Sequence, residues 1–159
     1  MNDPKYSTCL WFDGQAEEAT KFYVSIFPNS RVVDTLRWGD AGGARKGALL
    51  TSEFELDGRH FIALNGGPQY QFTPAISLVI NCDTQAEVDH YWSCFLEGGK
   101  AQACGWITDR YGVSWQVTPK ILPKLLKDPD TARANRAMRA MMDMVKIDIA
   151  ALLKAADGK

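Results

Sequence analysis

The sequence predicts an α+β fold that contains two copies of one strand-plus-helix unit. The first observation is a repeat: the segment DGQAE at 13–17 returns as DTQAE at 83–87, an offset of 70. The second is a turn followed by a strand at 58–63, which returns at 112–117, an offset of 54. The third is a change of character after position 119, where residues typical of helices predominate. Together they predict two tandem βαβββ units followed by a long C-terminal helix.

The first unit should begin with a strand and a helix. Residues 6–12 form a short apolar run with the character of a strand. Apolar side chains then recur at the spacing of a helix, at Ala19, Phe22, Tyr23 and Ile26. We expect this helix to begin near position 14 and to end before Pro28.

Three more strands should complete the first unit. Residues 31–38 and 49–56 alternate between apolar and polar side chains, and a glycine-rich loop at 39–43 separates them. The Asp-Gly dipeptide at 57–58 is a strong signal for a two-residue hairpin. Residues 60–65 should therefore return beside the preceding strand.

The second unit follows the same order. Residues 75–82 have the pattern of an apolar strand covered on both faces. The segment TQAE at 84–87 is a capping box, in which the Thr and Glu side chains satisfy free backbone amides at the start of a helix. That helix should end at the glycine pair at 98–99. Two strands, at 102–107 and 113–117, should then flank a turn.

The C-terminal region should be one helix. Residues 130–156 contain no proline or glycine, and a helix of that length would extend about 40 Å. One apolar seam is formed by Met138, Met141, Val145, Ile149 and Leu152. Met144 and Ile147 add a second apolar face, and exposed apolar surface normally marks an interface. The sequence therefore predicts a homodimer.

Charge and composition exclude several kinds of partner. Lys and Arg number 18 against 19 Asp and Glu, so the chain lacks the basic excess that binding to nucleic acid or to an anionic membrane requires. No apolar run approaches the roughly 18 residues of a transmembrane helix, and the first residues lack the features of a signal peptide. The four cysteines show no CxxC spacing. We therefore expect buried thiols in a cytoplasmic protein.

Several segments occur in an order that resembles a known family. They are LWFDGQAEEA at 10–19, ALNGGP at 63–68, Cys82 with TQAEVD at 84–89, and the stretch from CGW to WQV at 104–117. In this order they resemble the vicinal-oxygen-chelate superfamily, which includes glyoxalase I, extradiol dioxygenases and bleomycin-resistance proteins. The chain is most similar to the PhnB-like branch, whose members often carry a 3-demethylubiquinone-9 3-methyltransferase name.

This resemblance implies one domain made of two half-barrels that enclose a cleft for a small molecule. Its units would be 5–68 and 69–118, followed by a helical extension at 119–159. Metal-dependent relatives place ligands on the first and fourth strands of each unit, positions that fall near Tyr6, Ala75 or Ile76, Ile62 and Gln116. One phenol, one carboxamide and apolar side chains cannot chelate a hard divalent ion, so we expect no metal and no cofactor.

Five residues are candidates for contacts with a ligand in that cleft: Trp11, Asn65, Trp106, Trp115 and Gln116. Gln116 is a polar side chain inside an apolar strand, so it needs a partner from the protein, from water or from a ligand. Because side chains alternate along a strand, Trp115 should point away from the face that carries Gln116. The alternative for each tryptophan is that it anchors the core.

Other polar residues allow more than one interpretation. Glu53 and Glu55 share one face of a strand, where they either support acid–base chemistry or form a solvated surface. Cys104 has no base among its neighbours in the sequence, so we expect a structural thiol. No glycine-rich turn of the kind that binds S-adenosylmethionine is found after a parallel strand.

The sequence thus favours a metal-independent protein that binds a small molecule of unknown identity, with aromatic walls and a few polar groups that orient the ligand. An enzyme of the same superfamily is the alternative, of the lyase, transferase or dioxygenase type and with or without a metal. A third class is an interaction protein whose functional surface is the C-terminal helix.

Overall fold

The computed structural model describes residues 5–159 and contains two four-stranded sheets. The chain divides into two compact units, of which the first ends at Phe72 and the second is Thr73–Lys159. Each unit contains one of the sheets. The predicted α+β fold of two βαβββ units is therefore confirmed. No helix in the described range is long and apolar enough to cross a bilayer.

The first unit contains β1 (Thr8–Phe12), α1 (Ala16–Ile26), β2 (Arg31–Arg37), β3 (Leu49–Leu56) and β4 (Arg59–Asn65). Its strand order is β1-β4-β3-β2, in which β1 runs parallel to β4 and the other neighbours are antiparallel. A short 3-10 helix, Asp40–Arg45, forms the loop between β2 and β3. The elements match the predicted ones, although β1 begins two positions later than expected.

Two local features build this unit. Asp57 and Gly58 both have positive φ, 46° and 76°, as the predicted two-residue hairpin between β3 and β4 requires. Alternation along β4 then directs Phe61 inward, where it stacks on Phe54 of β3 at 5.3 Å between ring centroids. Phe54 in turn stacks on Tyr23 of α1 at 6.2 Å. These three aromatic rings join the sheet to its helix.

The second unit repeats the arrangement and adds three helices. It contains β5 (Leu78–Cys82), α2 (Gln85–Leu96), β6 (Lys100–Ala101), β7 (Trp106–Thr108), β8 (Ser114–Pro119), α3 (Ile121–Leu126), α4 (Thr131–Asp143) and α5 (Ile149–Ala156). The order β5-β8-β7-β6, with β5 parallel to β8, matches that of the first sheet. The predicted cap of α2 is present, since Thr84 accepts from the Glu87 amide. The Glu87 carboxylate, however, accepts from the Asp83 amide rather than from the Thr84 amide.

Two predicted strands differ from the structure. β5 begins at Leu78 rather than at position 75, and the side chain of Val79 is 51% exposed, so within this chain the strand is not covered on both faces. The predicted strand at 102–107 is mostly a turn, because β6 ends at Ala101 and β7 begins only at Trp106. Cys104 and Gly105 have φ of 61° and 80° in that turn, values that interrupt an extended strand.

The prediction of one long C-terminal helix is wrong. α4 ends at Asp143 and α5 begins at Ile149, with a non-helical segment at 144–148 between them. The amides of Cys104 and Gly105 donate to the carbonyls of Met144 and Val145, at 2.8 and 2.7 Å. Those backbone hydrogen bonds compete with the helical ones, and high helix propensity alone does not outweigh them. We call residues 144–148 the connecting segment.

The side chains of and near the connecting segment do not form the predicted apolar seam. Ile147 is completely buried in a cluster that also contains Leu122, Leu125, Ala137, Leu152 and Ala156. Met138 and Val145, which the seam was predicted to include, are instead 40% and 51% exposed. The break in the helix turns Ile147 inward and leaves these two side chains at the surface.

The four cysteines are free thiols, but only Cys82 is buried. Burial, together with the nearby Glu87 and Asp83, raises the pKa of the Cys82 thiol to about 12. Cys9 is exposed, and Cys94 and Cys104 are partly exposed. The expectation of four buried thiols is therefore correct for Cys82 alone.

Candidate functional site

A cavity of about 440 Å³ lies within the first unit, where β1 and β4 end and α1 begins. Its walls are formed by Asp13, Gly14, Glu17, Arg37, Trp38, Arg45, Ala48, Leu49, Asn65, Gly66 and Gly67. The volume is within the range of small-molecule sites. Of the five residues predicted to contact a ligand, Asn65 lines this cavity.

Asn65 joins three elements that form the cavity wall. Its Oδ1 accepts a hydrogen bond from the Ala16 amide at 2.9 Å, which satisfies a free N–H at the start of α1. Its Nδ2 donates to the Leu49 carbonyl at 3.1 Å, at the start of β3. The carboxamide therefore holds the wall in place, and any contact with a ligand uses the second lone pair of its oxygen or the second N–H of its nitrogen.

Trp11 supports the same wall from β1. Its indole N–H donates to the Gly67 carbonyl at 2.8 Å, and its ring meets Tyr70 edge to face with 5.0 Å between centroids. Gly66 lies against the indole so closely that a Cβ there would come within 2.2 Å of the ring. The turn after β4 can thus pass over Trp11 because position 66 has no side chain.

One charged pair closes a side of the cavity. The Arg37 guanidinium lies 3.1 Å from both carboxylate oxygens of Glu17, and Lys21 approaches the same carboxylate at 3.2 Å. Hydrogen bonds from Lys21 and from Arg37 lower the pKa of Glu17, so this carboxylate stays ionised. These contacts fix the position of Arg37 and use its charge.

Arg45 also lines the cavity but, unlike Arg37, has no carboxylate partner among the described residues. Its guanidinium carbon lies 4.1 Å from the ring centroid of Trp38, within cation–π range. Within residues 5–159 it forms no ion pair with a carboxylate. The neighbouring Lys46 instead pairs with Asp40 at 2.5 Å. The stacked guanidinium is therefore positioned yet available to an acceptor.

Sequence reasoning missed Arg37, Trp38 and Arg45. No motif marks them, because they are brought to the cavity by the end of β2 and by the 3-10 helix that follows it. The available signal was the difference between the two offsets, 70 and 54, which makes the first unit 16 residues longer and which we assign mostly to the glycine-rich loop. Loops longer than their structural counterparts often carry function, and this one contributes an arginine to the wall.

The other predicted residues lie in the second unit, on two faces of its sheet. Trp106 and Gln116 are register partners on β7 and β8, and both are half-buried. The Gln116 amide donates to the Ser77 hydroxyl at 2.9 Å, which is the protein partner that its polarity required. Trp115 is only 2% exposed and stacks on Phe95 at 4.6 Å, so it packs in the core. Contact of any of these residues with a ligand stays a prediction.

The residues at the positions where the resemblance implied metal ligands do not fit a divalent cation. Ile62 has no donor atom, and Gln116 directs its amide N–H toward Ser77. Across the described residues, no group of three or more His, Cys, Asp and Glu side chains is arranged to hold a metal ion. The donor chemistry of these strands therefore gives no basis for a step that uses a metal.

Comparison with known proteins places the fold. The family model described as 3-demethylubiquinone-9 3-methyltransferase matches residues 4–118. The sequence is 34% identical to the PhnB protein of Bacillus cereus, whose structure covers 73% of this chain and 99% of its own, with a TM-score of 0.68. No curated protein matches.

Two more distant structures show the same fold. Protein PA1353 from Pseudomonas aeruginosa is 22% identical, with a TM-score of 0.63, and the match covers 74% of this chain and 98% of that one. The fosfomycin resistance protein FosX from Listeria monocytogenes is 18% identical, with a TM-score of 0.54, and the match covers 80% of this chain and 100% of that one. At these identities the likeness concerns the fold alone.

Proposed function

We propose a function from the premise that this chain belongs to the 3-demethylubiquinone-9 3-methyltransferase family. The protein binds a small molecule that has a carboxylate group, and it does so in the cavity of the first unit without a metal. The observation that carries this proposal is the Arg45 guanidinium, which is stacked on Trp38 and has no carboxylate partner in the described part of the chain. A guanidinium presents a planar fork of donors that matches a carboxylate.

The charges of the cavity support a ligand of this kind. Asp13 and Glu17 contribute two carboxylates, and Arg37 and Arg45 contribute two guanidinium groups, so the wall is formally neutral. Arg37 and Glu17 neutralise each other through their direct contact. A carboxylate at Arg45 would thus find a local cation without a strong repulsive field, and the indole of Trp38 offers apolar surface for the rest of the molecule.

Replacement of Arg45 by alanine tests this proposal. Benzoate is a suitable probe because it combines a carboxylate with an aromatic ring, and benzamide is its neutral counterpart. We expect benzoate to shift the NMR signal of the Trp38 indole N–H, and Arg45→Ala to weaken its binding about tenfold or more, since a hydrogen bond to a charged group contributes roughly 1.5–3 kcal/mol. Benzamide should bind more weakly than benzoate.

Arg31→Ala is the matched control. Arg31 is another arginine of the first unit, but its guanidinium pairs with the Glu55 carboxylate at 3.0 Å and does not line the cavity. This variant should bind benzoate as the unmodified protein does. Equal affinities in the two arginine variants, or no response of Trp38 to benzoate at all, would contradict the proposal.

The proposal also includes a homodimer. The predicted contact through Ile147 is not available, because that side chain is buried. Met138, Met142 and Val145 are instead exposed at and after α4, and exposed apolar surface favours association. We expect light scattering at micromolar concentration to give the mass of a dimer, and Met142→Glu to shift it toward the monomer while Met142→Leu does not. A monomeric unmodified protein would refute this part.

A cytoplasmic location completes the proposal. All four cysteines, Cys9, Cys82, Cys94 and Cys104, are free, and free thiols are typical of reducing compartments.

A further inference from the structure

The side chains of a serine, a histidine and a glutamate contact one another in a row on the sheet of the first unit. The Ser7 hydroxyl lies 2.8 Å from Nδ1 of His60, within hydrogen-bond distance. Nε2 of the same imidazole lies 3.2 Å from a carboxylate oxygen of Glu53. None of the three residues lines the cavity described above, so this is a separate site.

Strand geometry explains why the three side chains meet. Ser7 directly precedes β1, and His60 and Glu53 belong to the neighbouring strands β4 and β3. Phe61, the next residue along β4, points into the core against Phe54, so His60 points to the opposite face of the sheet. The side chain of His60 is only 14% exposed, so water has limited access to the contacts that its two ring nitrogens make.

Glu53, and not the neighbouring Glu55, is the carboxylate that contacts His60. Glu55 is the direct register partner of His60, but its carboxylate pairs with Arg31 at 3.0 Å. Glu53 is the other carboxylate on that face of β3, and its oxygen faces Nε2 of His60. A carboxylate beside Nε2 favours the tautomer that carries its proton there, which leaves the lone pair of Nδ1 for the Ser7 hydroxyl.

The second unit provides an internal comparison. β1 and β5 occupy equivalent places in their sheets, since Thr8 pairs with Phe61 and Leu78 pairs with Trp115. Ser77, which precedes β5, is therefore the equivalent of Ser7. The partner of Ser77 is the Gln116 amide, whose N–H group donates to the hydroxyl. A carboxamide cannot take up a proton from serine, whereas the imidazole of His60 can.

We propose that Ser7 is a nucleophile for acyl transfer from small carboxylic esters, with His60 as the general base and Glu53 as a residue that positions the imidazole. A nucleophile within hydrogen-bond reach of a base, which a third group orients, is the arrangement that activates serine. The Ser7 oxygen bonds to the acyl carbon as its proton passes to Nδ1. The ester C–O bond breaks, and the departing alcohol takes that proton. Water then loses a proton to Nδ1, its oxygen bonds to the acyl carbon, and the carboxylic acid leaves as Ser7 regains its proton.

Labelling with a fluorophosphonate tests this proposal within one molecule. The serine oxygen bonds to phosphorus, fluoride departs, and the serine proton passes to the base. Peptide mass spectrometry of the full chain then compares Ser7 with Ser77. Because general base catalysis typically contributes 10²–10⁴-fold, we expect Ser7 to react at least about 100-fold faster than Ser77. Equal reaction of the two serines, or of neither, overturns the proposal.

Variants separate catalysis from a structural role. His60→Gln should abolish the difference between the two serines, and it should also abolish hydrolysis of 4-nitrophenyl acetate. Glu53→Gln should lower the labelling rate of Ser7, and Glu53→Asp should restore part of it, with the thermal midpoint unchanged in both. Glu55→Gln is the matched control and should label as the unmodified protein does. A labelling rate that Glu53→Gln and Glu55→Gln affect equally, or that His60→Gln leaves intact, overturns the proposal.

Discussion

Replacement of Gly99 by alanine should destabilise the protein by about 3 kcal/mol or more, at the upper end of the usual cost of overpacking. A Cβ at this position would lie 2.1 Å from the Phe95 carbonyl oxygen and 2.5 Å from the Thr108 carbonyl oxygen. Both are backbone atoms, one from the last turn of α2 and one from the end of β7. A side chain could rotate away from the new methyl group, but these carbonyls cannot move without shifting the helix against its sheet.

The loss of stability in Gly99→Ala is expected from the lack of space for a Cβ and not from the backbone conformation at Gly99. The neighbouring Gly98 has a φ of 75°, as a left-handed cap of α2 requires, whereas Gly99 does not lie in that region. Chemical denaturation measured by circular dichroism gives the change in the free energy of unfolding. Gly39→Ala is the matched control, because a Cβ at Gly39 has no neighbour within 4 Å and the φ there is −82°. Its change should stay within about 0.5 kcal/mol. Similar midpoints for the two variants would show that the α2–β7 junction tolerates the shift.

Replacement of Ile147 by alanine should lower the free energy of unfolding by about 2–5 kcal/mol, as removal of a large buried aliphatic side chain usually does. Ile147 is completely buried, and it fills the space beside Gly105, where a Cβ would lie 3.1 Å from its Cγ1 atom. Its carbonyl also accepts a hydrogen bond from the Gln85 amide at 3.1 Å. Ile147 therefore attaches the connecting segment to both the turn at 104–105 and α2.

Val145→Ala is the control for this prediction, because Val145 belongs to the same segment and is 51% exposed. It should change stability by no more than about 0.5 kcal/mol. Hydrogen exchange adds a local measurement. The amides of Cys104 and Gly105 donate to the connecting segment, and they should exchange faster in Ile147→Ala than in Val145→Ala. The prediction would be contradicted if Ile147→Ala kept both its denaturation midpoint and the protection of these two amides. The backbone hydrogen bonds alone would then hold the connecting segment.

The architecture of both units could be predicted from the sequence because its signals are local. Alternation along β3 and β4 and the Asp-Gly turn between them specify a hairpin from adjacent residues. The cap at Thr84 likewise depends on residues within one turn of α2. The repeated DxQAE segment then indicated that the second unit repeats the first. Alternation also correctly separated Trp115 from Gln116, since one packs in the core and the other reaches Ser77.

The C-terminal helices and both candidate sites depended instead on contacts between distant residues. Helix propensity is a local quantity, and it could not register that the amides of Cys104 and Gly105 would bind the carbonyls of Met144 and Val145. The stacking of Arg45 on Trp38 required the path of a loop. The approach of Ser7 to His60 required the parallel pairing of β1 with β4.

Local patterns in the sequence identify most of the strands and helices and the repeat of the unit, apart from the strand predicted at 102–107 and the single C-terminal helix. The break between α4 and α5 and the grouping of side chains into sites follow from the folded chain alone. These interactions differ in range. Propensities, caps and turns act within a few residues, whereas hydrogen bonds, ion pairs and packed side chains join groups that only the folded chain brings into contact.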